Sequence, residues 1–276
     1  MKHRLIVLPL FIISSIFSQN LQIHKIVKMQ MQIPVLGPIT ITINQTIAPG
    51  FLKMEEKADA DRFYASWMMD GETGEIMNEE NEHIIKYDVA DEEFWFQSAD
   101  DYFKKPDTSS ENGKSFSFSI GDEEEESEND VPPKITRTGG KEVELINGFS
   151  SIKWITSVKM PDSKMIFEEW FVDELPLMPI FDSLETEIRT NFNPNGETVK
   201  VAQAEFSSHL IIQELDSLTT LKPIKGSPIK INFLLYEKGK EKSKVSMSYE
   251  ILELYEEPFD KEAFTIPKNF DFVKKD

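Results

Sequence analysis

An α+β domain built on an antiparallel sheet is the fold class this sequence predicts, and three observations predict it. Apolar and polar residues alternate with a period of two in segments spread from residue 27 to residue 255, the signature of half-buried strands. The period changes to that of one helical face between Leu177 and Leu218. Several of the linkers between alternating segments are short and carry turn residues, so the strands they join should run antiparallel.

The elements follow in order. Met1 to Arg4 is a basic start, Leu5 to Phe17 an apolar run, and Ser18 a small residue ahead of Gln19, which is the pattern of a cleavable signal peptide over residues 1–18. Val27, Met29, Met31 and Ile33 alternate with Lys28, Gln30 and Gln32; after Pro34 to Pro38, Ile39, Ile41 and Ile43 alternate with Thr40, Thr42 and Asn44. These two runs read as a hairpin. A third strand is predicted from Phe63 to Met69, closing at Asp70-Gly71. Two more, His83 to Tyr87 and Phe94 to Gln97, flank a turn at Val89 to Glu93.

Residues 100–138 change character. Asp100 to Asp130 holds eleven acids against three lysines and leads to Pro132-Pro133. Such a stretch buries too little apolar surface to offset its chain entropy, so an acidic disordered insertion is expected there. Its acids have no spacing of a calcium loop. Strands resume at Phe149 to Val158 and Met165 to Val172 around a Pro161-Asp162-Ser163 turn. Leu177, Ile180, Phe181, Leu184 and Ile188 then share one helical face, and a second helix is predicted from Glu197 to Leu218. Asn193 to Gly196 between them makes a helical hairpin. Ile229 to Tyr236 and Lys244 to Tyr255 close the sheet. Residues 19–276 therefore form one domain, with no repeat of 20 to 50 residues.

Composition narrows the function. The absence of cysteine excludes disulfides, thiol catalysis, thiolate metal sites and the cysteine-borne lipid anchor of many exported envelope proteins. Without Lys2 and Arg4 the chain has 28 basic residues against 49 acidic ones, a net charge of −21. Nucleic acid and anionic lipid surfaces, which need basic patches, are not expected partners. No later segment approaches the twenty apolar residues of a membrane span, so an exported, soluble monomer is expected.

Catalytic patterns are weak. His24 and His83 fall in strands and His209 in a helix, each without a partner at ligand spacing, and each is read as a structural or surface side chain. No Gly-x-Ser-x-Gly elbow or phosphate-binding glycine loop is present. Asp59-Ala60-Asp61 and Glu168-Glu169 are carboxylate pairs able in principle to share acid and base work, but their neighbours read as solvent-facing strand or turn. Asn44-Gln45-Thr46 matches a glycosylation triplet. No catalytic residue, metal ligand or cofactor is assigned. Met29, Met31, Ile41, Trp154, Trp170 and Met247 are the candidate ligand-binding residues, because methionine and tryptophan offer adaptable contact to an acyl chain. The competing reading places the same six in a filled core.

Several short pieces carry a family resemblance. They include Thr40 to Thr46 leading to Phe51 to Glu55, His83 to Asp88 before Phe94-Trp95, Ile146-Asn147-Gly148-Phe149 before Lys153-Trp154, and Glu168 to Phe171 followed by Leu175-Pro176. Gly226 to Lys230 and the ending Phe264 to Phe270 complete the set. In these pieces and in the order of its elements the chain resembles the LolA/LolB-like superfamily of periplasmic lipoprotein carriers, in a branch of exported Bacteroidetes-type proteins. The resemblance implies an incomplete barrel, a strongly curved sheet with a helical hairpin packed on its concave face. It also implies a non-enzymatic periplasmic binding protein or carrier for a lipid or lipoprotein acyl chain. The chain departs from the pattern at Ser151, where relatives often carry cysteine, and in the acidic insertion. The other function class is an envelope scaffold with a filled core, recruiting a protein partner through that acidic loop.

Overall fold

The computed structural model describes residues 21–34, 37–62, 66, 70–81, 83–103, 133–193 and 221–275. Six strands form an up-and-down meander: β1 (Leu21–Ile33), β2 (Gly37–Ala48), β3 (Phe51–Ala60), β4 (Gly71–Asn78), β5 (His83–Asp88) and β6 (Glu93–Ser98). A single-turn helix α1 (Ala99–Tyr102) follows. Then come β7 (Lys134–Ile146), β8 (Phe149–Lys159), β9 (Ser163–Val172), the helix α2 (Leu177–Phe192), β10 (Ser227–Glu237), β11 (Val245–Pro258), a 3-10 turn at Lys261–Phe264 and the two-residue β12 (Asp271–Phe272).

The twelve strands among the described residues belong to one open sheet in the order β12-β6-β5-β4-β3-β2-β1-β11-β10-β9-β8-β7. Neighbours are antiparallel, with a parallel contact where β12 meets β6. The sheet joins its two halves in the middle, where β1 pairs with β11 from Leu21↔Pro258 to Gln32↔Ser246, with a register shift at Ile26/Val27. The predicted hairpin is present, with Met29 opposite Ile41 and Met31 opposite Ile39. The architecture is thus broadly α+β, mostly sheet, and the sheet is curved. The bend shows at the β7–β8 turn. Asn147 and Gly148 both hold positive φ (49° and 86°), as a two-residue hairpin of right-twisting strands requires. Asn147 Nδ2 reaches over to β11 and donates to Glu250 Oε1 (2.8 Å) and the Ile251 carbonyl (3.0 Å).

α2 starts behind Pro176, whose φ of −57° is already helical. It buries Phe181 and Ile188 against Ile23, Ile47, Leu52, Met77 and Ile84 of the first five strands. Leu177 and Leu184 pack at the margin of that cluster. Ile180, expected on the inward face, is instead 49% exposed, since the sheet contacts the stripe centred on Phe181. No helix among the described residues is long and apolar enough to cross a membrane.

Some expectations fall outside the described residues and others are corrected. Apart from Ser66, the Phe63 to Met69 segment lies outside the described residues, as do Glu197 to Leu218 and His209. β3 and β4 were not expected, and Gly71 opens β4 rather than closing a strand. The acidic insertion is shorter than 100–138. At its start Ser98 caps α1 by accepting from the Asp101 amide, and Phe103 is buried. At its end β7 begins at Lys134 and pairs with β8. Residues 104–132 lie outside the described residues.

Candidate binding face

The strand register assembles the candidate residues into rows, because residues directly opposite one another share a face. One row crosses seven strands: Ala58, Ile41, Met29, Tyr249, Ile231, Glu169 and Trp154. The next row along the strands is Ile39, Met31, Met247, Phe233, Phe167 and Thr156. Met29 and Met31 alternate in phase with Ile23, which packs beneath α2, so both rows lie on the helix-bearing face. Phe167 and Phe233 pack with ring centroids 5.1 Å apart, in a cluster with Val158 and Met165 that Met247 adjoins.

Five of the six candidates therefore share a face: Met29, Met31, Ile41, Trp154 and Met247. Trp170 does not. It stands opposite Lys153, the neighbour of Trp154, so the two tryptophans point to opposite sides of the sheet. Trp170 shares an apolar cluster with Met29, yet its ring is occupied by polar partners. Lys153 Nζ lies 4.5 Å and Lys230 Nζ 5.4 Å from its centroid, and its Nε1 donates to Glu144 Oε2 (2.8 Å). Trp154 packs on Gly140, where a Cβ would come within 2.5 Å of the indole.

The carboxylate pairs divide in the same way. Asp59 and Asp61 are exposed, as expected. Glu169, expected in solvent, is 2% exposed within the first row and accepts a hydrogen bond from Thr156 Oγ1 (3.0 Å), whose hydroxyl in turn accepts from Arg137 Nε (2.9 Å). Glu168, on the opposite face, accepts from Lys153 Nζ (3.0 Å) and Asn232 Nδ2 (3.1 Å). Burial alone would raise the Glu168 pKa, but these hydrogen bonds and the charge of Lys153 hold it below the ordinary carboxylate range. His24 is a satisfied structural side chain: it bonds Glu257 (2.8 Å), Gln22 (3.0 Å) and Thr46 (3.0 Å) and stacks on Tyr255. Ser151 is buried and donates to the Glu144 carbonyl (2.9 Å).

Sequence reasoning missed a polar site on the same face as the apolar rows. Glu75 of β4 is 1% exposed and paired with Lys86 of β5. Tyr102 of α1 donates its hydroxyl to the Glu75 carboxylate (3.0 Å), and Arg189 of α2 lies 3.8 Å away. Arg189 also pairs with Glu185 one turn earlier (2.9 Å) and donates to Tyr102 Oη (3.3 Å). Burial and the adjacent Glu75 push the Tyr102 phenol well up, so it stays a donor. This network ties α1 and α2 to the sheet. Beside it is a pocket of about 190 Å³ lined by Met54, Glu56, Thr73, Lys86, Trp95 and Gln97 among others. Glu56 accepts no hydrogen bond from the described residues, and burial, then the charge of Glu75, raises its pKa. Glu56 stands directly opposite Ile43, one step along β2 from Ile41, so the polar pocket adjoins the apolar rows. The signal in sequence was faint: Glu56 and Glu75 belong to the two strands whose alternation is broken by charge and glycine.

Among the described residues no group of three or more histidines, aspartates or glutamates is placed to hold a metal ion. In comparison with known families and curated proteins, the chain matches no family model and no curated sequence.

Proposed function

We propose that this protein is a non-enzymatic carrier for an amphipathic ligand with an acyl chain, exported through its signal peptide and working in the periplasm. The observation that carries this reading is the continuity of one face: rows of methionine, isoleucine and phenylalanine side chains that end beside a polar pocket at Glu56. An acyl chain along Ile41, Met29, Met31 and Met247 gains apolar contact, while a polar head group finds in Glu56 an acceptor that no donor among the described residues occupies. The neighbouring Glu75, Lys86, Tyr102 and Arg189 are held by one another, which suits fixed complementarity better than proton transfer.

The resemblance to the LolA/LolB-like carriers supports the same reading: it implies an incomplete barrel with a helical hairpin on its concave face, and the open, curved sheet with α2 on one face agrees with the coarser part of that expectation. Trp170 stands off the two rows but packs in the apolar cluster of Met29 and Ile41, and Glu56 joins the ligand set. The test is detergent-free purification of residues 19–276 followed by organic extraction. The wild type should yield a lipid that Met31→Asp, placed between Ile39 and Met247, no longer retains. A wild-type chain that binds no acyl ligand would refute the proposal.

A further inference from the structure

The mean charge of the chain hides a basic tip. Lys134, Lys159 and Lys164 stand directly opposite one another on β7, β8 and β9, and the row ends on Tyr236 of β10. Three like charges in adjacent register positions destabilise a sheet, and among the described residues neither Lys134 nor Lys159 forms an ion pair that would relieve them. Such an arrangement is stabilised by a bound anion. The row lies on the face opposite Phe167 and Met247, since Val158 and Met165 lie on theirs.

Beside this row the β8–β9 and β10–β11 turns are bonded edge to edge, the Lys238 amide donating to the Asp162 carbonyl (2.9 Å). Between them is an open pocket of about 490 Å³ in which Lys159, Lys164, Lys238 and Lys240 outnumber Glu237 and Glu241, with Tyr236, Met160 and Ile166 also in its lining. Lys238 and Lys244 are compensated by Asp162 (3.3 Å) and Glu237 (2.8 Å). Directly opposite Ile166 stands Ser157, two residues from Lys159 on the same face. Its Oγ is buried without a hydrogen-bond partner in the described structure.

We infer that this tip is a docking site for a membrane surface rich in anionic phosphate head groups. Ammonium groups on three strands, a phenol and an apolar floor match a phosphate ester joined to an acyl region. The chain as a whole is net acidic, so an anionic surface favours approach through this lysine-rich end, and the charge asymmetry sets the orientation. The expectation that anionic lipid is no partner follows from net charge alone; the inference rests instead on this local excess of lysine. The inference does not depend on the acyl-carrier reading: a chain that docks but arrives empty would refute the carrier alone.

Vesicle co-sedimentation of residues 19–276 tests it. The protein should sediment with phosphatidylglycerol-containing vesicles at low salt, not with phosphatidylcholine alone, and should be released at high salt. Lys159→Glu and the exposed-turn variant Lys240→Glu combined should weaken binding by about tenfold or more. Lys159→Glu by itself should melt no lower than wild type, because it breaks the like-charge row; a lower melting temperature would contradict the repulsion on which the site rests. Equal binding to both vesicle types, or double-variant binding equal to wild type, would overturn the inference. Stabilisation by inorganic phosphate without vesicle binding would also overturn it, in favour of a soluble phosphate ligand.

Discussion

Lys25 of β1 holds its ammonium 3.8 Å from the centroid of the Phe181 ring, in the middle of the contact between α2 and the sheet. The lysine is 8% exposed and Phe181 fully buried, so the helix is anchored by an aromatic ring that also shields a buried charge. Removing the ring takes away both. Phe181→Ala should destabilise the protein by about 3–5 kcal/mol, measured by urea unfolding, as expected for truncating a buried aromatic side chain.

Burial depresses the Lys25 pKa below 10.5, against the opposing charges of Glu185 and Asp182. The sign follows from proton counting. Between the depressed value and 10.5 the folded state binds fewer protons than the unfolded chain, so stability rises with pH through that interval. Lys25→Met should therefore be more stable than wild type at neutral pH, and the difference should shrink as pH rises through that interval and level off above 10.5. Chemical denaturation across that range reads both.

Glu168 behaves in the opposite sense. Its folded pKa lies below 4.5 because Asn232 and Lys153 favour the charged form. The stabilisation is present above 4.5 and is lost as pH falls through the folded value. Glu168→Gln should lower the urea midpoint at neutral pH and have no effect in strong acid, where the wild-type carboxyl is protonated.

Gly74 lies under Tyr87, with an added Cβ falling 2.0 Å from the phenol ring. Tyr87 is buried and donates its hydroxyl to Glu55 (2.7 Å), so it cannot swing away without losing that bond. Gly74→Ala should cost about 1–3 kcal/mol by overpacking, and Gly74→Ala with Tyr87→Phe should recover little, because the ring rather than the hydroxyl collides. Thermal melts of the two variants decide this.

How much of this was legible in the sequence depends on whether side chains alternate cleanly. β1 with β2, β5 with β6, β8 with β9 and β10 with β11 are visible because one face is apolar and the other wet. β3 escapes because Glu55, Glu56 and Lys57 follow one another and Glu56 faces the helix side at the polar pocket. β4 escapes because Gly74 supplies no side chain to its outer face, where Tyr87 fills the space. β7 escapes because Gly139-Gly140 forms a bulge against Trp154 and splits the strand pattern in two. The Glu168-Glu169 pair held a readable signal: adjacent strand residues face opposite sides, so within a sheet buried on one face one of the two had to point inward. The pairing rows were not legible, since register joins residues more than a hundred positions apart, as with Met31 and Met247.

Within the polar network, Lys86 is the partner whose loss is most direct. Lys86→Met leaves Glu75, 1% exposed, with the more distant Arg189 and the Tyr102 hydroxyl. A cost of about 3 kcal/mol is expected for the weakened compensation of a buried carboxylate, read by urea unfolding. Glu75→Gln combined with Lys86→Met should restore part of it, because the unbalanced charge is then gone.

Native mass spectrometry of residues 19–276, purified without detergent and followed by organic extraction, tests the central claim most directly. The account predicts a discrete added mass that extracts as a lipid and is absent from Met31→Asp. A bare protein mass, unchanged after incubation with envelope lipids, would contradict it and leave the methionine rows as a filled core.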